Sequence, residues 1–214
     1  MAKSNLRRIT GAAIISALLA GCATLPGQTD QDPATLDKAH FFNTATVRDD
    51  PLALTATIDT SRGYRRPMGL LDIHPVDSFL RAVINKKTGA TEYMLYQQVQ
   101  YRDYEWHFYN AATYQGAGGP VAAQFVEIDR RIDNCDRARG PGCTYAEHIG
   151  FIVPSSVLEQ IAADYDAGER GAWRYRFSSR RADQTLLGEI PYGEVAGLLE
   201  RVKAYRQQLG VAAR

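Results

Sequence analysis

Asp103, Glu105 and His107 alternate along a stretch whose intervening residues, Tyr104, Trp106 and Phe108, are all aromatic. In an extended strand, residues two apart share a face. This spacing predicts a row of carboxylates and imidazole on one face and an aromatic row on the other. A carboxylate beside a histidine can ligate a divalent metal or act as a general base. Glu147 and His148 are neighbours on a later strand-like stretch, so they point to opposite faces and only one can join the first group. Glu105, His107 and His148 are therefore the candidate binding or metal set. The plainer account of the same pattern is a solvated polar face over an aromatic core face, as half-exposed strands commonly show.

Other reactive residue types point to structure rather than chemistry. Ser155 and Ser156 follow a proline and open a helical pattern, without the Gly-x-Ser-x-Gly elbow of a nucleophilic serine. Gly116 to Gly119 is followed by no Lys-Ser/Thr pair and no helix start, so it reads as a hairpin loop rather than a phosphate cradle. No catalytic residue is assigned and no cofactor is called for. Arg174 and Arg176 alternate with Trp173, Tyr175 and Phe177, which puts the arginines on one strand face. That face is either an edge strand made soluble by charge or a contact for an acidic partner or anionic glycan. His40 and His74 stand alone and read as loop residues.

Cys22 has the most specific surroundings. Lys3, Arg7 and Arg8 precede an apolar run from Ile9 to Ala20, about half the length a membrane-spanning helix needs. A positive start, a short apolar middle and small residues at the end form the pattern of a removable signal, here residues 1–21. Leu19-Ala20-Gly21-Cys22 resembles the lipobox of bacterial lipoproteins. The resemblance implies cleavage before Cys22 and lipid on its thiol and new amino group. One acyl chain binds membranes weakly, whereas several hold firmly. Ala23, rather than Asp, resembles the pattern passed to the outer membrane in Gram-negative cells. The resemblance covers the signal only.

Without residues 1–21 the chain carries 22 basic and 24 acidic residues. That balance argues against electrostatic binding to nucleic acid or to anionic lipid by the chain as a whole. Cys135 and Cys143 are the two remaining cysteines, and export puts them where disulfides persist. They bracket a short Gly/Pro/Arg loop. Parity and compartment favour a bridge over a metal pair, which needs more Cys or His close by.

Residues 22–36 are polar, with two prolines, and read as a lipid anchor and flexible tether. Residues 37–214 read as one domain. Strands are expected over 52–58, 79–84, 91–102, 105–114, 121–128, 145–153 and 172–178, with Asn85 to Gly89 as a hairpin turn. Two helices follow late in the chain. Ser156 and Glu159 fit a capping box ahead of Leu158, Ile161 and Tyr165, with Gly168 as the stop. The last helix runs from Pro191 to Leu209 on an apolar stripe of Val195, Leu198, Leu199 and Val202, ended by Gly210. Strands first and helices late imply an α+β fold, a mostly antiparallel sheet with the two helices packed on it. A β-sandwich with helical additions is the alternative.

These features point to a periplasm-facing outer-membrane lipoprotein that binds or scaffolds an envelope protein or glycan. A metal-dependent or general-base hydrolase of an envelope polymer, built on Glu105, His107 and His148, is the alternative.

Overall fold

The structure, a computed structural model, describes residues 36–64, 76–136, 140–179 and 183–211. The signal, Cys22, most of the tether and His74 lie outside the described residues.

Asp37 opens the fold. Its carboxylate accepts from the His40 backbone amide at 2.8 Å and so caps α1, Lys38–Thr44. Then follow β1 (Thr46–Arg48), β2 (Thr55–Asp59), β3 (Val76–Asn85), β4 (Thr91–Asp103), β5 (Tyr109–Gly116), β6 (Gly119–Ala122), β7 (Gln124–Asn134) and β8 (Cys143–Val153). The chain ends with α2 (Ser155–Asp166), β9 (Ala172–Ser179), β10 (Thr185–Pro191) and α3 (Tyr192–Leu209). The fold is α+β. One sheet runs β1-β2-β3-β4-β8-β7 and the other β10-β9-β5-β6. Neighbouring strands are antiparallel throughout both.

Alternation decides which faces meet. Tyr93, Leu95, Gln97, Val99 and Tyr101 of β4 are buried, as are Trp173, Tyr175 and Phe177 of β9. Apart from Gln97, both sets belong to one apolar cluster with Leu158 of α2 and Val195, Leu198 and Val202 of α3. Phe151 of β8 is fully buried where the sheets face each other. Its ring lies 5.6–5.9 Å from those of Tyr114, Trp173, Tyr175 and Phe177. Offset and edge-on contacts of this kind suit the ring quadrupoles. Helix α1 packs closely on α3. A Cβ on Gly197 would stand 2.7 Å from Phe41 Cβ and 2.8 Å from the Lys38 carbonyl, so this crossing needs glycine.

Several sequence expectations shift. Leu52 and Leu54 lie outside strand β2 and are almost fully exposed. The stretch expected as one strand over 121–128 is two. β6 pairs in the second sheet, and the chain crosses at Ala123 to enter β7 in the first. The capping box does not form: Pro154 holds the cap position of α2 and supplies no side-chain acceptor, which leaves Ser155 and Ser156 already in the helix. β9 lies between β10 and β5, so it is a central strand and not an edge. His40 is helical, and its Nε2 meets the Gly63 carbonyl at 2.6 Å. The last helix keeps its expected bounds, with Gly210 left-handed at φ 69° as its stop.

Cys135 and Cys143 are joined. Arg102 organises the loop they close. Its guanidinium donates to the carbonyls of Asp136, Gly140, Pro141 and Gly142 at 2.6–3.1 Å. A thiol titration of the unfolded, unreduced domain should find neither cysteine reactive. Reduction should lower stability by about 2 kcal/mol, because the bridge closes a short loop. A reactive thiol at either position would refute the bridge.

Candidate functional site

The expected strand over 105–114 begins only at Tyr109. Residues 104–108 instead form the bend by which the chain leaves β4 in the first sheet and enters β5 in the second. Asp103, Glu105 and His107 therefore do not line a strand face. Asp103 ends β4, Glu105 is exposed on the bend, and His107 folds back under it. The His107 ring stacks on Tyr101 with centroids 3.6 Å apart, and its Nε2 sits 3.0 Å from Asp103 Oδ2. That contact, followed by the Tyr104 backbone amide, holds the Asp103 carboxyl below the usual carboxylate range. Phe108 turns the corner at φ 53°, a left-handed conformation that is strained for a bulky residue.

Glu147 holds this corner together. Its side chain is fully buried on β8. Oε1 accepts from Tyr101 Oη at 2.5 Å and from the Phe108 backbone amide at 3.0 Å. Oε2 accepts from the Tyr109 amide at 3.2 Å and from Arg130 Nε at 2.9 Å. Arg130 comes from β7, also donates to the Tyr109 carbonyl and to Glu127, and lies 5.3 Å over the Phe108 ring. Tyr101 in turn accepts from the His107 amide at 2.7 Å. Burial, reinforced by the bond to Glu147, pushes the Tyr101 phenol far above its ordinary value. Burial, with the Glu147 charge added, also raises Tyr109.

The chemistry follows from this saturation. A general base needs a lone pair within reach of a substrate proton. Both Glu147 oxygens are taken up by donors of the protein, four in all, and none of the side chain meets solvent. The carboxylate is an internal clamp that replaces backbone pairing where the ladder breaks. His148, next in sequence, lies on the opposite sheet face, half-buried, with Nε2 lacking a partner among the described residues. Among the described residues no three His, Cys, Asp or Glu side chains are grouped to hold a metal ion. Glu105, His107 and His148 are thus not assembled as a ligand set.

Two surfaces remain that could receive a partner. Arg174 and Arg176 are exposed on the outer face of the second sheet, with Trp173, Tyr175 and Phe177 turned to the core, as alternation predicts. Arg176 has Leu187 and Thr113 as its cross-strand neighbours, and Leu187 is 72% exposed. The second surface is a groove of about 530 Å³ between α1, α2 and α3. Phe42, Ala162 and Leu199 line it, with Lys38, Glu200 and Lys203 among its polar groups.

Sequence reading missed Glu147, Tyr101 and Arg130 as one unit. The available signal was weak: Glu147 is a charged residue in an otherwise apolar strand pattern, and a charge there needs a partner.

The chain is thus an α+β protein of two antiparallel sheets, joined at a corner that a buried carboxylate organises. No family model, no curated protein and no solved structure matches it.

Proposed function

We propose that this chain is an outer-membrane lipoprotein facing the periplasm, cleaved before Cys22, whose domain binds or scaffolds another envelope component. Leu19-Ala20-Gly21-Cys22 behind a basic start and a short apolar run is the observation that carries the reading. Three features of the folded domain agree with it. Its first helix is capped at Asp37, which leaves residues 22–36 as the span between lipid and domain. A disulfide joins the two cysteines other than Cys22, as suits an exported chain. The buried carboxylate at the sheet corner is committed to structure, while Arg174 and Arg176 stand exposed on a central strand. Arginine is enriched where proteins meet.

Two experiments test this. Cys22→Ser should accumulate as an uncleaved precursor without lipid. Normal maturation and normal membrane fractionation of that variant would contradict the anchor. A photoreactive residue placed at position 176, in intact cells, should give a discrete high-mass adduct. If neither position 176 nor position 203 beside the helical groove gives an adduct in correctly localised protein, the binding role fails.

A further inference from the structure

The loop between β1 and β2, residues 49–54, carries the two most exposed large apolar side chains among the described residues. Leu52 is 94% and Leu54 is 84% exposed. Leu80, Leu95, Leu158 and Leu198 are by contrast fully buried, and Leu187, the other strongly exposed leucine among the described residues, stands alone on its strand at 72%. A single exposed leucine needs no explanation, but two within three residues on a fastened loop do.

The loop is fastened from within and from both sides. Asp50 Oδ1 accepts from the Leu52 amide at 2.9 Å, and the Ala53 amide donates to the Asp50 carbonyl at 3.0 Å. The Lys86 amide donates to the Leu54 carbonyl at 3.0 Å. Lys86 Nζ reaches Asp49 Oδ1 at 2.9 Å and the Asp50 carbonyl at 2.7 Å, and Tyr205 Oη donates to Asp49 Oδ2 at 2.6 Å. These bonds order the loop before anything binds, so little conformational entropy is left to lose on contact. Lys87 lies beside it in the adjoining hairpin turn, exposed and without a carboxylate partner among the described residues.

We propose that this loop is a second membrane contact: Leu52 and Leu54 enter the acyl boundary of the bilayer while Lys87 meets anionic headgroups. Apolar tips with a lysine at their base are the chemistry of the bilayer interface. The chain itself supplies the bilayer. This inference rests on the Cys22 anchor proposed above. Residues 22–36 span at most about 50 Å when extended. Only α1 with its two cap residues, Asp37 and Ala45, and the three residues of β1 separate that tether from the loop, helix and strand each being roughly 10 Å long. An anchored domain meets the membrane at high effective concentration, so a contact too weak to recruit a free protein suffices to orient a tethered one.

The test uses a Leu54→Cys variant labelled with an environment-sensitive fluorophore. Vesicles contain phosphatidylethanolamine and phosphatidylglycerol, with or without doxyl-labelled lipid. One preparation is the full chain processed in cells. The other carries a hexahistidine tag in place of residues 1–21, with Cys22→Ser, and is held on the same vesicles by nickel-chelating lipid. In both, label at position 54 should shift its emission to the blue and lose intensity to doxyl lipid, whereas label in a Leu187→Cys control should do neither. Adding Leu52→Asp should abolish the shift. A water-like label at position 54 on the nickel-held chain overturns the proposal. A blue shift that depends on protein concentration without vesicles overturns it too, in favour of contact with a second copy. Loss of signal in the processed preparation alone counts against the Cys22 anchor and leaves the loop contact standing.

Discussion

Glu147→Ala should destabilise the domain by about 3–5 kcal/mol, because it breaks the buried ion pair with Arg130 and leaves that largely buried guanidinium only the half-exposed Glu127 as counter-charge. It also orphans the Tyr101 hydroxyl and the Phe108 and Tyr109 amides, each of which then lacks its acceptor. For a domain of this size the melting temperature should fall by roughly 10 °C or more. Glu147→Gln keeps one carbonyl acceptor and should fall between the wild type and Ala. Chemical denaturation of the three proteins checks the order. If Glu147→Ala lost less than about 1 kcal/mol, the value of an ordinary hydrogen bond, the clamp would not be holding the corner.

The second large effect concerns Glu194, in the first turn of α3. It is fully buried, with the Thr60 hydroxyl donating to Oε1 at 2.5 Å. Burial first, and the Asp77 carboxylate as a smaller contribution, raise its carboxyl from the ordinary 4.5 to about 8, against the opposing bonds from Thr60 and Leu80. The folded state therefore keeps a proton that the unfolded chain releases. Its stabilising contribution is complete below about pH 4.5 and is lost as pH rises to about 8. Glu194→Gln stays neutral throughout while keeping an acceptor for Thr60. It should be about 3 kcal/mol more stable than the wild type at pH 7, and the two should converge near pH 4.5. Urea titrations across this range read the difference directly. An advantage that does not grow with pH would mean that Glu194 is not buried as a neutral acid.

Both residues show where local sequence patterns fail. β9 and α3 were legible because burial in each follows a simple period: Trp173, Tyr175 and Phe177 at two, Val195, Leu198 and Val202 at helical spacing. The hairpin of β3 and β4 was legible because Asn85 and Gly89 mark its turn, with Gly89 at φ 73°. The bend at residues 104–108 was not. Its alternation of Asp103, Glu105 and His107 mimics a strand. What breaks the strand is a carboxylate about 40 residues away that takes up the Phe108 and Tyr109 amides. Glu147 itself sits in the alternation as any inward residue of β8 does, and only the donors brought from β4, β7 and the bend explain a charge there. The start of α2 differs from expectation for a local reason. Pro154 and Pro191 occupy the cap positions of α2 and α3, and a proline offers no side-chain acceptor. Asp37 does cap α1 in the expected chemical way, though the short helix behind it shows too little periodicity to be read.

The split into two sheets follows the same logic. Crossings at residues 104–108 and at Ala123 move the chain between sheets without a Gly/Pro cluster to announce them. The candidate set of Glu105, His107 and His148 depended on one uninterrupted strand. Once the chain bends, Glu105 goes to solvent, His107 packs on Tyr101, and His148 stays on the far face of the first sheet.

The lipid on Cys22 is the claim on which the proposed function rests, and mass spectrometry of the protein extracted from membranes tests it most directly. The expected N-terminal peptide begins at Cys22 and carries the added mass of a diacylglyceryl group and an amide-linked acyl chain. A mature N-terminus at another residue, or an unmodified Cys22, would contradict the account.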